Sequence, residues 1–337
     1  MKGIYGRANF EIELREREDR RVSGHLTRLR VIACGVCGTD LHFLRDMPDW
    51  TPMGHEISAE VVEVGEAVTR VRVGDRVICE DVTMCGACEA CKSGRFDLCR
   101  SGITLDGQPG MSDELVVHEN MLNRYAGIDP IAASMTEPLA VAVRSLNLLR
   151  LRPFESVAIY GMGAIGLFSA AYARLLGAGR IALIARQSGS LRNRAAEEIA
   201  ADFGADEFAY TAKADYLDDL LRVGAFDAAI IAAPLRLTAD AMRILKYGGR
   251  ALAMGVSFGR TETVPIDVND MVFNKKQLLT SIAEPAQDFP CALELIRTGR
   301  IHAEQAITHT IPLKDAAKLK SLYAQDAPAV KTVMICD

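Results

Sequence analysis

The sequence has no apolar stretch after its first methionine, no block of basic residues, no internal repeat and no low-complexity linker. Each absence removes a class of function. Met1-Lys-Gly-Ile-Tyr-Gly-Arg has no hydrophobic segment of the kind a secretory signal needs, so a cytoplasmic setting is expected. The net charge is −5 with no basic run, so no nucleic-acid partner is expected. The longest weakly charged stretch, Val157 to Ala173, is short for a membrane span and carries spaced glycines, so no membrane partner is expected. What remains is a chain of 337 residues, 49% hydrophobic and 25% charged, long enough for two ordinary domains.

Cysteine, by contrast, is plentiful. Nine in a chain without an export signal are better explained by metal than by disulfides. Cys85, Cys88, Cys91 and Cys99 follow a C-x2-C-x2-C-x7-C spacing, with small residues between them. Four thiolates can close a tetrahedral shell around zinc, which makes such a site structural. Disulfides and an iron–sulfur cluster are the alternatives. The ferredoxin pattern has three residues before its last Cys and Pro after it, and neither occurs here. Lys92 and Arg95 stand close enough in sequence to offset the thiolate charge.

A second group has mixed donors. Cys34-Gly-Val-Cys37-Gly-Thr39-Asp40-Leu-His42 follows a strand-like run, and Gly54-His55-Glu56 comes soon after. Cys, His and Glu from separate segments, leaving room for water, form the donor set of a catalytic zinc. Cys34 and Cys37 also make a C-x-x-C, read either as a redox dithiol or as one ligand beside a buried thiol. Asp40 is expected to orient His55 rather than to act as a base.

The rhythm of the chain changes near Ile131. Before it, short branched runs such as Glu60–Gly65 and Val71–Ile78 read as strands joined by long loops. Ala132 to Leu149 reads as one helix. From Ser156, apolar strands alternate with helices, the signature of βαβ units and a parallel sheet. Leu313 to Ala324 reads as a late helix. The fold class expected is α/β, a β-rich domain plus a doubly wound parallel sheet.

The stretch Val157-Ala-Ile-Tyr-Gly161-Met-Gly163-Ala164-Ile165-Gly166 is strand, G-x-G-x-x-G, helix. It predicts a dinucleotide site: Gly161 for the turn, Gly163 for approach of the pyrophosphate and Gly166 for packing, with the amides of Ala164 and Ile165 facing the phosphates. After the second strand an NAD enzyme would place Asp or Glu on the ribose. Here Arg186, Gln187 and Ser188 follow Ala185, with Arg192 beyond them, so NADP is favoured over NAD. The alternative is a solvated start of a helix.

These motifs, in this order, resemble the zinc-dependent medium-chain dehydrogenase/reductase family over nearly the whole chain. Val73-Gly-Asp-Arg-Val77, Gly248-Gly249-Arg250 and Ala292–Gly299 match as well. The resemblance implies a GroES-like catalytic domain over residues 1–140 and 275–337, and a Rossmann domain over 141–274. Glu137-Pro138-Leu139-Ala140 is similar to polyol, threonine and glucose dehydrogenases. It implies that a catalytic zinc is held by Cys37, His55, Glu56 and Glu137, with the two carboxylates exchanging. Thr39 would hold the substrate oxygen and His42 would pass the proton outward. Phe273-Asn274-Lys275 resembles the glucose-dehydrogenase cofactor contact. The implied activity is hydride transfer between a secondary alcohol of a polyol, sugar or cyclitol and NADP or NAD, in a homodimer or homotetramer with two zincs per chain. A broader alcohol or threonine dehydrogenase is the alternative within the family. A non-catalytic zinc and nucleotide binding protein is the alternative outside it. The sequence departs from the family in lacking the usual Pro-rich strand connection, in Ala59, and in a short loop from His42 to His55.

Overall fold

A computed structural model describes residues 1–256, 261–282, 287–324 and 327–336. It divides into two compact units, Met1–Ala140 with Glu284–Ala324 and Lys331–Asp337, and Val141–Ala283 with Gln325–Val330.

The first unit is built on the strand Leu26–Gly35. Its side chains alternate, with Leu29, Val31 and Ala33 fully buried. Outward-facing Arg30 pairs with Glu60 directly across the ladder at 3.0 Å. Glu56–Val64 pairs antiparallel along its length, with Gly35 opposite Glu56. The chain's last strand, Thr332–Ile335, lies on the other side, with Val333 opposite Gly35. Arg76–Cys79 and Leu122–Tyr125 extend the sheet beyond Glu56–Val64. The run from Val71 does not extend as one strand: Gly74 has φ +89°, and Asp75 donates its N–H to Arg72 O in a turn before Arg76. The expected helix 132–149 is two, Pro130–Ala133 and Thr136–Leu149, the first capped by Asp129. Leu313–Ala324 is a 3-10 turn, Leu313–Lys318, followed by the short helix Leu319–Leu322.

The second unit is a six-stranded sheet. Its order is Glu207–Tyr210, Arg180–Ala185, Ser156–Tyr160, Phe226–Ile231, Leu245–Ala253, Gln277–Thr280, with every pairing parallel. Numbered along the chain that is 3-2-1-4-5-6, the doubly wound nucleotide-binding order, which reverses between the first and fourth strands. The strands are apolar throughout, as sheets covered on both faces are: Val157, Ala158, Ile159 and Tyr160 are all fully buried. The expected return to the first unit at 275 falls instead at 284. The reason is that Gln277–Thr280 hydrogen-bonds to Leu245–Ala253 and completes this sheet. The strand Glu207–Tyr210 and the helix Tyr216–Val223 were not expected from the sequence.

Candidate active site

Two cysteine clusters lie in the first unit. Cys37 caps the helix Gly38–Asp46, and its Sγ accepts the Thr39 N–H at 3.5 Å. Asp40, fully buried, joins the two ligand segments. Its Oδ2 accepts the Cys37 N–H and its Oδ1 accepts the Gly54 N–H, both at 2.9 Å. Asp40 thus acts on His55 through the backbone beside it; its two oxygens are both given to amides. Gly54 has φ +89°, and a Cβ there would stand 2.8 Å from Cys34 Sγ and 2.6 Å from Met111 Cγ. Cys34 is therefore buried packing beneath the His55 turn.

Donor atoms of Cys37, His55 and Glu56 lie within 4.8 Å of one another. Burial disfavours a charged His55, yet the Cys37 thiol, then Asp40 and Glu137, outweigh it and hold the imidazole well above its ordinary pKa. Glu137, in the first turn of Thr136–Leu149, is nearly sealed from solvent. Burial pushes its carboxyl up to about 8, against the pull of His55. Asp81 is raised by burial too, and lowered by His55. This concentration of acidic groups calls for a cation. The buried Glu56 Oε2 accepts no hydrogen bond among the described residues, although the Lys331 ammonium lies 2.5 Å from it. The donor set, thiolate with imidazole and carboxylate, fits zinc.

Thr39 is half-buried beside Cys37. His42 lies on the same helix with its Nδ1 2.9 Å from Asp46 Oδ2, and both side chains are exposed. Sequence reasoning missed two residues here. One is Asp81. The other is Lys331, whose ammonium is 2.5 Å from the Glu56 carboxylate. No motif marks either one; only strand register brings Lys331 to Glu56.

The second cluster is Cys85, Cys88, Cys91 and Cys99. Sulfur separations are 3.9 Å for Cys85–Cys91, 3.5 Å for Cys88–Cys91 and 3.9 Å for Cys88–Cys99. Four sulfurs about 2.3 Å from one tetrahedral ion would stand about 3.8 Å apart, so the cage matches zinc. Backbone amides of Ala87 and Cys88 draw the Cys85 thiol down to about 6.

In the second unit the three glycines divide their work. Gly161 has φ +121°, and a Cβ there would press on Ala232 O at 2.7 Å, where the strand order reverses. Gly166 packs against Gly161 O too closely for any Cβ. Gly163 faces open space, with Arg192 Nη2 3.9 Å from where its Cβ would be. Gly163 is the N-cap of Ala164–Leu175 and no side chain caps that helix, so the amides of Ala164 and Ile165 remain for a ligand. Arg186 and Ser188 are exposed in the turn after Arg180–Ala185. Asn274 is not brought to this turn. It ends the helix Val268–Phe273 at the opposite, amino edge of the sheet, where its Nδ2 donates to Asp270 Oδ1 at 2.7 Å. Its likeness to a cofactor contact is thus replaced by a capping role.

The comparisons agree with this geometry. Residues 24–125 match the alcohol dehydrogenase GroES-like domain, and residues 164–298 match the zinc-binding dehydrogenase domain. The chain belongs to the zinc-dependent medium-chain dehydrogenase family. Within that family it is 26% identical to sorbitol dehydrogenase of Halalkalibacterium halodurans, over 94% of this chain and 92% of that protein. It is 28% identical to L-galactonate-5-dehydrogenase of Escherichia coli, over 88% and 87%. A Sinorhizobium meliloti protein solved with NADP bound superposes with a TM-score of 0.85 at 26% identity, covering 99% of this chain and 98% of that one. An alcohol dehydrogenase of Thermus sp. shares the fold with a TM-score of 0.88 at 24% identity, over the full length of both chains.

Proposed function

We propose that this family member oxidises a secondary alcohol of a polyol or sugar acid, with NADP in preference to NAD. The supporting observation is the mixed cluster of Cys37, His55 and Glu56 with buried Glu137 beside it, in a chain similar to sorbitol and galactonate dehydrogenases. Zinc held there would supply Lewis acidity toward the substrate hydroxyl. Thr39, beside Cys37, would fix the substrate oxygen by its hydroxyl. His42, with its ring tied to Asp46 and open to solvent, would carry the released proton outward. Cys85, Cys88, Cys91 and Cys99 would hold a second, structural zinc.

The preference for NADP rests on Arg186 and Arg192 around the turn after the second strand, where no carboxylate stands to receive a ribose hydroxyl. The apolar Val268, Val272 and Phe273 are exposed beside the edge strand Gln277–Thr280 and suit a homo-oligomer formed through that edge. No helix among the described residues is long and apolar enough to cross a membrane, which accords with the proposed cytoplasmic setting.

The test is reduced-nicotinamide absorbance with a panel of polyols, sugar acids and simple alcohols, each with NAD and NADP, in zinc-replete protein. Turnover strongest with a vicinal polyol and NADP is expected. Activity confined to simple alcohols would favour the broader alcohol-dehydrogenase reading, and no turnover at all would leave a binding protein. R186A/R192A should raise the KM for NADP about tenfold relative to NAD.

A further inference from the structure

The helix Gly38–Asp46 carries three polar residues in one row. Thr39, His42 and Asp46 follow one another at i, i+3 and i+7, so they lie along a single face. Exposure rises along the row. Thr39 is half-buried beside Cys37, the His42 side chain is 40% exposed and the Asp46 side chain 56%. The helix beneath the row is held at both ends. Cys37 and Asp40 close its amino end in a capping box. At the other end Met47 donates its N–H to Phe43 O at 3.2 Å and accepts the Ala8 N–H at 2.7 Å. Leu41 and Leu44 are buried on the opposite face.

Asp46 stands where a helix least favours it. The macrodipole places negative potential at the carboxyl end, so an acid as the last residue is opposed. Among the described residues its carboxylate forms one ion pair, with His42 Nδ1 at 2.9 Å. The cations nearby are placed otherwise. Arg45 lies about 100° round the helix from Asp46. Arg7 ends the strand Lys2–Arg7, which packs on this helix, and it pairs with Glu11 and stacks on Trp50; Lys2 is at that strand's far end. A carboxylate only accepts hydrogen bonds. In the neutral ring it therefore draws the hydrogen to Nδ1 and makes Nε2 the accepting nitrogen.

We infer that Asp46 is a positioning residue for His42: it fixes the imidazole with hydrogen on Nδ1, so that Nε2 is ready to take a proton from the site. The inference rests on the reading of His42 as the outward proton carrier. On that reading one proton joins Nε2, the positive ring is held against the Asp46 carboxylate, and the ring then gives one proton to water, restoring its starting form. Without Asp46 the neutral ring reverts to hydrogen on Nε2, the form an isolated imidazole side chain prefers, and the accepting atom is closed. The motif that located Thr39 and His42 does not extend to Asp46; only the helical spacing brings the carboxylate to the ring.

The test begins with full-length protein carrying nitrogen-15 in its histidines, whose ring signals report which nitrogen bears hydrogen; H42Q assigns the signal of interest. In neutral rings, hydrogen on Nδ1 is expected in the parent and on Nε2 in D46A. D46E, which keeps a carboxylate, should keep the parent form. Steady-state kinetics with NADP and the best alcohol of the panel above should show kcat of D46A down about fivefold to tenfold, with KM for both substrates within about twofold. Added imidazole buffer should restore most of that loss. In the H42Q background D46A should cost less than about 1.5-fold, because its effect passes through the ring. Exposed pairs at this spacing add little to stability, so D46A is expected to fold. Hydrogen on Nε2 in the parent overturns the inference, as does an equal cost of D46A with and without His42. An unchanged kcat in H42Q would instead refute the proton-carrier reading, a distinct result. The ring signals decide whether Asp46 sets the hydrogen even if no alcohol is turned over.

Discussion

The two cysteine clusters differ in how their side chains are supplied, and on the proposed reading that difference separates stability from chemistry. The cage at residues 85–99 draws four identical donors from one loop, with backbone amides turned toward the sulfurs. Its shell is complete, so a metal there has nowhere to receive a substrate. The cluster at Cys37 draws unlike side chains from a helix cap, from the residue before a strand and from that strand's first residue. Each donor is held by a partner that is not itself a ligand: Asp40 on the Cys37 and Gly54 amides, Lys331 on Glu56. A loop can form the first kind of site with little help. The second exists only once the sheet is in register.

The widest separation between them should appear on removing one thiol from each. C37S is expected to lower kcat by at least about a thousandfold, roughly 4 kcal/mol of barrier, with the melting temperature nearly kept. C88S should do the reverse: one zinc lost, the melting temperature down by about 5–10 °C, and turnover of the folded fraction within about threefold. Steady-state kinetics, metal analysis and thermal unfolding on both variants check the pair. Loss of turnover in C88S at unchanged melting temperature would erase the distinction.

The same contrast explains what the sequence could and could not disclose. The four-cysteine cage and the glycine turn are local, so spacing alone located Cys85 to Cys99 and Gly161 to Gly166. The expected α/β class with a doubly wound sheet is present, because short apolar strands alternating with helices are visible in one dimension. Lys331 and Asp81 were invisible because their partners come from other strands, and no residue pattern near them signals a buried charge. Asn274 misled for the same reason: a three-residue likeness carries no information about which edge of the sheet it occupies. The boundary at 275 failed because Gln277–Thr280 is a short edge strand, half-exposed and weakly patterned.

A smaller change sharpens the role of register. G35A inserts a methyl where Glu56 Oε2 lies, between two strands that cannot separate without losing the ladder. The expected cost is about 1–3 kcal/mol of stability, with zinc affinity at the mixed site reduced and the four-cysteine zinc unchanged. Metal analysis after mild chelation resolves the two. Equal loss from both sites would mean that the cluster is not set by this register.

The most local effect concerns Glu80, which ends the shared scaffold and starts the loop to the cage. It is 3% exposed, its Oε1 accepts from Asn123 Nδ2 at 2.6 Å, and its Oε2 has no partner among the described residues. Burial pushes its carboxyl up to about 7 from an ordinary 4.5, with Thr83 and Asn123 pulling the other way. The folded state therefore keeps a proton that the unfolded state has released. The stability this contributes is full below about pH 4.5 and lost as pH rises through 7. E80Q keeps a neutral amide at every pH, so its stability relative to the parent should improve by about 1–3 kcal/mol between pH 5 and 8. Denaturant unfolding of both proteins across that window is the measurement. A parallel pair of curves would mean that Glu80 is ionised in the fold and that a counter-charge, not burial, governs the joint between the two clusters.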